Sequence, residues 1–86
     1  MLEDFQLFDG DLSEFVADAL ALYPILAIDT EAMGLLPQRD RLCLVQICTP
    51  EGQVVLVRFV PQDLAKGAPY LKRIMEHAQV LKVFHY

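Results

Sequence analysis

No window of about 18 apolar residues occurs anywhere in this chain, so a membrane-spanning helix has no place in it. The glycine-rich phosphate loop, the cysteine and histidine spacings of a zinc site and the Gly-x-Ser-x-Gly turn of a serine nucleophile are absent too, as are internal repeats and low-complexity stretches. Positive charge is scarce: 7 Lys and Arg stand against 12 Asp and Glu, a net charge of −5. That balance argues against a domain that holds nucleic acid by phosphate contacts alone. A polyanionic partner needs help from bound divalent cations, which reverse the local sign of a carboxylate cluster. The opening MLEDFQLFDGD contains acidic residues and no Lys or Arg, the reverse of a signal or transit peptide, and the expectation is a cytoplasmic protein.

Cysteine is nearly absent. The two present, Cys43 and Cys48, fall in one expected strand on opposite faces, roughly 16 Å apart at about 3.3 Å per residue, so they cannot pair with each other. Two unpaired thiols acting as small core hydrophobes fit a reducing cytosol.

What the chain does have is apolar residues: 55% of 86, with a mean hydropathy of +0.34. With no membrane span to absorb them, they belong to the core of at most one small domain. The last residue, Tyr86, closes the apolar run VLKVFHY with no cap or polar tail, and a truncated domain is the expectation.

FQLF suits a short edge strand, and DGD turns the chain into a helix. Asp11 as N-cap with Glu14 three residues on forms a capping-box pattern, and Leu12, Phe15, Val16, Ala19, Leu20 and Tyr23 follow helical spacing until Pro24. ILAID, apolar on both faces, reads as a central strand covered on both sides. LCLVQIC and QVVLVRFV flank TPEG, where Pro50 and Gly52 suit the second and fourth positions of a type I turn, so residues 42–48 and 53–60 predict an antiparallel hairpin. PQDLAKGAP is a helical turn or loop. Pro69 begins a helix with Tyr70, Leu71, Ile74, Met75 and Ala78 inward, and VLKVFHY follows as a strand returned by that helical crossover to lie parallel beside ILAID. The predicted fold class is α/β: an antiparallel three-strand start, then a crossover to a parallel strand. Strand and helix do not alternate throughout, as they do in a doubly wound nucleotide fold.

The chemistry concentrates in ILAIDTE. Residues two apart in a strand share a face, so Asp29 and Glu31 project together while Thr30 points away. Converging carboxylates offer oxygen donors to hard cations such as Mg²⁺, and they end the most central strand, where α/β sheets place ligands. The bland alternative is a strand giving way to a solvated loop. His85 reads as a core or edge histidine or as a group near a substrate phosphate, and Gln46 as a buried amide satisfied by neighbouring backbone or as a site contact. Arg39 and Arg41 read as solvated loop charges or phosphate contacts.

LAIDTEAMGLLPQRDRLCLVQIC, followed by VLKVFHY, closely resembles the first half of a ribonuclease D type 3′-5′ exonuclease domain of the DEDD superfamily. Its first motif, D-x-E at the end of the first sheet strand, is matched by Asp29 and Glu31, its hairpin strand by LCLVQI and the lead-in to its second motif by VFHY. The resemblance implies a ribonuclease H-like mixed sheet, with residues 1–86 as the N-terminal part of a single exonuclease domain. It also implies hydrolysis of nucleic acid, RNA in the ribonuclease D type, from a free 3′ end with two divalent cations, Mg²⁺ or Mn²⁺. By the same resemblance Asp29 would bridge the ions, and Glu31 would bind one of them near the attacking water. Met33, Gly34 and Leu35 would line the pocket for the terminal nucleotide, and His85 would stand close by. The family's remaining catalytic aspartates would lie beyond Tyr86, leaving this chain with half of a site. A non-catalytic nucleic-acid-binding or scaffold domain of the same fold, and a free-standing interaction module, are the alternatives.

Overall fold

The computed structural model describes residues 2–33 and 42–85. Its elements run β1 (Phe5–Asp9), α1 (Glu14–Leu20), β2 (Ile25–Met33), β3 (Leu42–Cys48), β4 (Val54–Phe59), α2 (Pro61–Lys66), α3 (Pro69–Met75) and β5 (Leu81–His85). The strands form one mixed sheet in the order β1-β4-β3-β2-β5. β2, β3 and β4 are antiparallel neighbours, β5 lies parallel to β2, and β1 lies parallel to β4 at the far edge. This is the α/β architecture expected from the sequence.

The hairpin turn follows from Pro50 and Gly52. The Gly52 N–H donates to the Thr49 carbonyl at 3.0 Å, closing the four-residue turn, and the Thr49 N–H donates to the Gln53 carbonyl at 3.0 Å. Gly52 itself has φ of 93°, a left-handed value that glycine adopts without steric cost.

The core lies on one face of the sheet. Leu26, Ile28, Ile47, Val55, Val57 and Phe59 pack with Leu12, Val16, Ala17 and Leu20 of the α1 segment and Leu71 and Ile74 of α3. The other face carries no helix among the described residues: Ile25, Leu81 and Val83 are 37%, 62% and 42% exposed. Among the described residues the expected cover on both sides of ILAID is therefore found on one side only, because α1 and α3 pack against each other over the same face. Two expected inward positions also differ. Phe15 is 61% exposed, since α1 is two turns long and its Leu12, Val16, Leu20 line already meets the sheet. Ala78 lies past the end of α3 and is exposed. The PQDLAKGAP stretch resolves as a short helix, α2, entered through Pro61 and capped by the Asp63 carboxylate, which accepts the Val60 N–H at 2.9 Å.

Asp11 does not cap α1. Ser13 does, its Oγ accepting the Val16 N–H at 3.2 Å. The Asp11 carboxylate instead accepts the N–H groups of Tyr70 and Leu71 at 3.0 and 2.8 Å, besides that of Leu12 at 2.8 Å. α3 begins at Pro69 with Ala68 as N-cap, and alanine has no oxygen to offer the orphan amides of the first turn, so a carboxylate 59 residues earlier in sequence takes that role. Asp11→Ala is expected to destabilise the chain by about 1–2 kcal/mol. Amide hydrogen exchange should speed up at Tyr70 and Leu71; unchanged protection there would remove Asp11 from this role.

Candidate active site

β2 extends to Met33, so Asp29 and Glu31 sit on a continuous strand and share a face. Leu26 and Ile28, each 1% exposed, define the core side, which places Ile25, Ala27, Asp29 and Glu31 on the uncovered side. Asp29 is half-buried and Glu31 exposed. Their Cα atoms are about 7 Å apart at the ordinary strand rise, close enough for two carboxylate arms to converge on one region of solvent.

The register supplies the neighbours. Asp29 pairs with Gln46 on β3 and with His85 on β5, and Glu31 pairs with Leu44. Ala27, Asp29, Gln46 and Cys48 line an open depression of about 350 Å³ on this face. A second hollow, of about 290 Å³, adjoins it at Ala27 and Cys48 and runs toward Ile25, Pro50 and Val83. Cys43 and Cys48 are both free and half-buried, on opposite faces as expected. Cys48 differs from a core residue in lining the depression, and only the pairing of β3 with β2 reveals that placement.

Several aspartates have structural partners, while the side chains of Glu3, Asp4, Glu14 and Glu76, like those of Asp29 and Glu31, have none among the described residues. Asp9 pairs with Arg58, its two oxygens 2.6 and 3.0 Å from the guanidinium; Asp18 pairs with Arg73 at 2.7 Å; Asp11 and Asp63 cap helices. Among the described residues Asp29 and Glu31 enter no ion pair and accept no side-chain hydrogen bond. The Arg58 hydrogen bond holds the Asp9 carboxyl below its ordinary value and raises Arg58 in turn. Arg58 lies in the same cross-sheet row as Glu31, through Leu44, but Asp9 balances its charge. At the hairpin end, Tyr23 donates to Glu51 at 2.5 Å, and that carboxylate pushes the phenol above its ordinary value.

Two carboxylates are hard oxygen donors suited to Mg²⁺ or Mn²⁺, and their position on an open face fits an ion site. They do not complete one: among the described residues no group of three His, Cys, Asp or Glu side chains is placed to hold a metal ion. Of the other expected site residues, Met33 ends β2 in register with Leu42, and His85 ends β5 beside Asp29. Gly34, Leu35, Arg39 and Arg41 lie outside the described residues.

The chain's mixed five-stranded sheet, with D-x-E on the interior strand β2, can be set beside known proteins. The family model described as 3′-5′ exonuclease matches residues 7–86. Ribonuclease D of Nitrobacter hamburgensis is 36% identical over 73 residues, which is 81% of this chain and 18% of that protein. A solved structure described as the apo form of the nuclease superposes with a TM-score of 0.76 at 34% identity, covering 99% of this chain and 39% of its own. Brucella melitensis NrnC bound to pGG superposes with a TM-score of 0.71 at 30% identity, with the same shares, 99% and 39%. This chain belongs to the 3′-5′ exonuclease family. It spans a minor part of each of these relatives, 18% of the ribonuclease D and 39% of the two solved nucleases.

Proposed function

We propose that this chain forms the first-motif part of an exonuclease domain that hydrolyses nucleic acid, RNA in the first instance, from a free 3′ end. The observation that carries the reading is the pair Asp29 and Glu31, side by side on the uncovered face of the interior strand β2, next to an open depression and without structural partners among the described residues. In this reading Asp29 and Glu31 would hold the divalent cations, Mg²⁺ or Mn²⁺, Asp29 as the shared ligand and Glu31 as the one beside the attacking water. Bound there, the ions supply an activated water and neutralise the leaving oxygen. Met33, Gly34 and Leu35 border the terminal nucleotide, and His85, in register with Asp29, lies at the same end of the sheet. The acidic surface suits such a site, since cations held by carboxylates attract the phosphate that the carboxylates alone repel. The likeness to a ribonuclease D and to a nuclease bound to pGG supports a nucleic-acid substrate. The two free thiols are in keeping with a cytoplasmic protein.

The test is digestion of a 5′-labelled single strand by the full-length protein. Stepwise shortening in Mg²⁺, stopped by EDTA and by a 3′-terminal block, is expected. Binding without shortening would favour a non-catalytic nucleic-acid-binding domain of the same fold. The 86-residue chain by itself is expected to release no mononucleotides, because two carboxylates leave most of the coordination positions of two ions unfilled. Mononucleotide release by the purified chain, with contaminating nuclease excluded, would show that Asp29 and Glu31 suffice.

A further inference from the structure

Gln46 occupies a position where a polar side chain has little local reason to be. β3 carries it on the uncovered face between Leu44 and Cys48, and its cross-strand neighbours are Asp29 on β2 and Leu56 on β4. A primary amide offers two N–H donors and a carbonyl with two lone pairs. Among the described residues its side chain makes one contact, Nε2 to the Cys48 Sγ at 3.5 Å, and a thiol sulfur is a weak acceptor. Gln46 is nonetheless half-buried, so an apolar residue there would avoid the desolvation that the amide incurs.

The register supplies a stronger acceptor. Directly opposed side chains on one face of an antiparallel pair have Cβ atoms about 4.5–5.5 Å apart, a gap that a glutamine amide spans. Gln46 and Asp29 line the same depression. Carboxylates that ligate metals are themselves held by hydrogen bonds, and losing such a partner typically costs about 10–100-fold in metal affinity or activity.

We propose that Gln46 is a positioning residue for Asp29: its amide, turned from Cys48, donates an N–H to one oxygen of the Asp29 carboxylate and fixes the direction in which the other oxygen faces the ions. This rests on Asp29 being a metal ligand. It also accounts for an amide on an otherwise apolar strand, since leucine in its place would leave Asp29 free to rotate among several orientations.

The experiment uses the active full-length protein with Gln46→Met, which keeps the chain length and removes the donor, and Gln46→Asn, which keeps the donor one methylene short. Mn²⁺ binding is measured by calorimetry without nucleic acid, and kcat and KM are measured separately. Gln46→Met is expected to weaken Mn²⁺ binding and to lower kcat, each by about 10–100-fold, with KM and the melting temperature unchanged. Gln46→Asn should recover only part of the loss, and adding Gln46→Met to Asp29→Asn should cost nothing more, because the two act through one carboxylate. Wild-type Mn²⁺ affinity and kcat in Gln46→Met would overturn the proposal, as would a rise in KM alone, which would mean a direct substrate contact. Asp29→Asn separates the two levels. If it binds Mn²⁺ and turns over normally, the metal site itself has been misassigned; if it fails while Gln46→Met is normal, only the positioning role falls.

Discussion

Asp29→Asn in the full-length protein is expected to lose on the order of a thousandfold or more in 3′-end digestion while melting at the same temperature as the wild type or slightly higher. The substitution keeps the shape and removes the charge. In the proposed role, loss of an ion-holding ligand takes away several kcal/mol of transition-state stabilisation. Stability should respond in the opposite sense, because Asp29 and Glu31 share a strand face and repel each other when no ion lies between them, and Asp29 caps no helix and enters no ion pair among the described residues. The comparison is a Mg²⁺ titration of digestion rate with thermal melts of both proteins. Near-normal turnover at saturating metal would refute the role. A large fall in melting temperature without metal would instead mark Asp29 as a structural residue at a strand end.

The second large effect concerns the fold. Ile28, Ile47 and Val55 stand side by side across β2, β3 and β4 on the core face, each at most 1% exposed. Ile47→Ala removes the middle of that row and leaves a cavity flanked by strands that cannot close over it, so a loss of about 2–5 kcal/mol is expected. For so small a domain this is a large share of a total stability on the order of 5–15 kcal/mol, and much of the population should unfold near body temperature. Leu81→Ala, on the opposite face and 62% exposed, should change the stability of the same chain by no more than about 0.5 kcal/mol. Urea denaturation of the three proteins is the measurement. Equal losses would mean that both faces of the sheet carry a core.

D-x-E recurs by accident in many chains, and what makes it informative here is its place on an interior strand of a mixed sheet, between β3 and β5. The apolar surplus of the sequence also finds its explanation there: Ile25, Leu81 and Val83 belong to a sheet face that the described helices leave open.

Much of this was decided by the sequence alone. The hairpin follows from two apolar runs around Thr49, Pro50, Glu51 and Gly52, the α1 core line from Leu12, Val16 and Leu20, the start of α3 from Pro69, and the shared face of Asp29 and Glu31 from their separation by one residue in a strand. Each of these depends on backbone geometry within a few residues, and strand alternation, helical spacing and turn chemistry are written locally. Tertiary structure alone decided the rest. Asp11 and Glu14 make a plausible local capping box, but the amides of Tyr70 and Leu71, brought to Asp11 by the packing of α3 beside α1, compete for the same carboxylate and win it. Which face of ILAID is covered depends on where two distant helices pack, and neither face differs enough in composition to announce it. Gln46 beside Asp29 and Cys48 at the edge of the depression follow from the register of β3 on β2, a property of two strands together: a shift of one residue would turn both side chains to the opposite face.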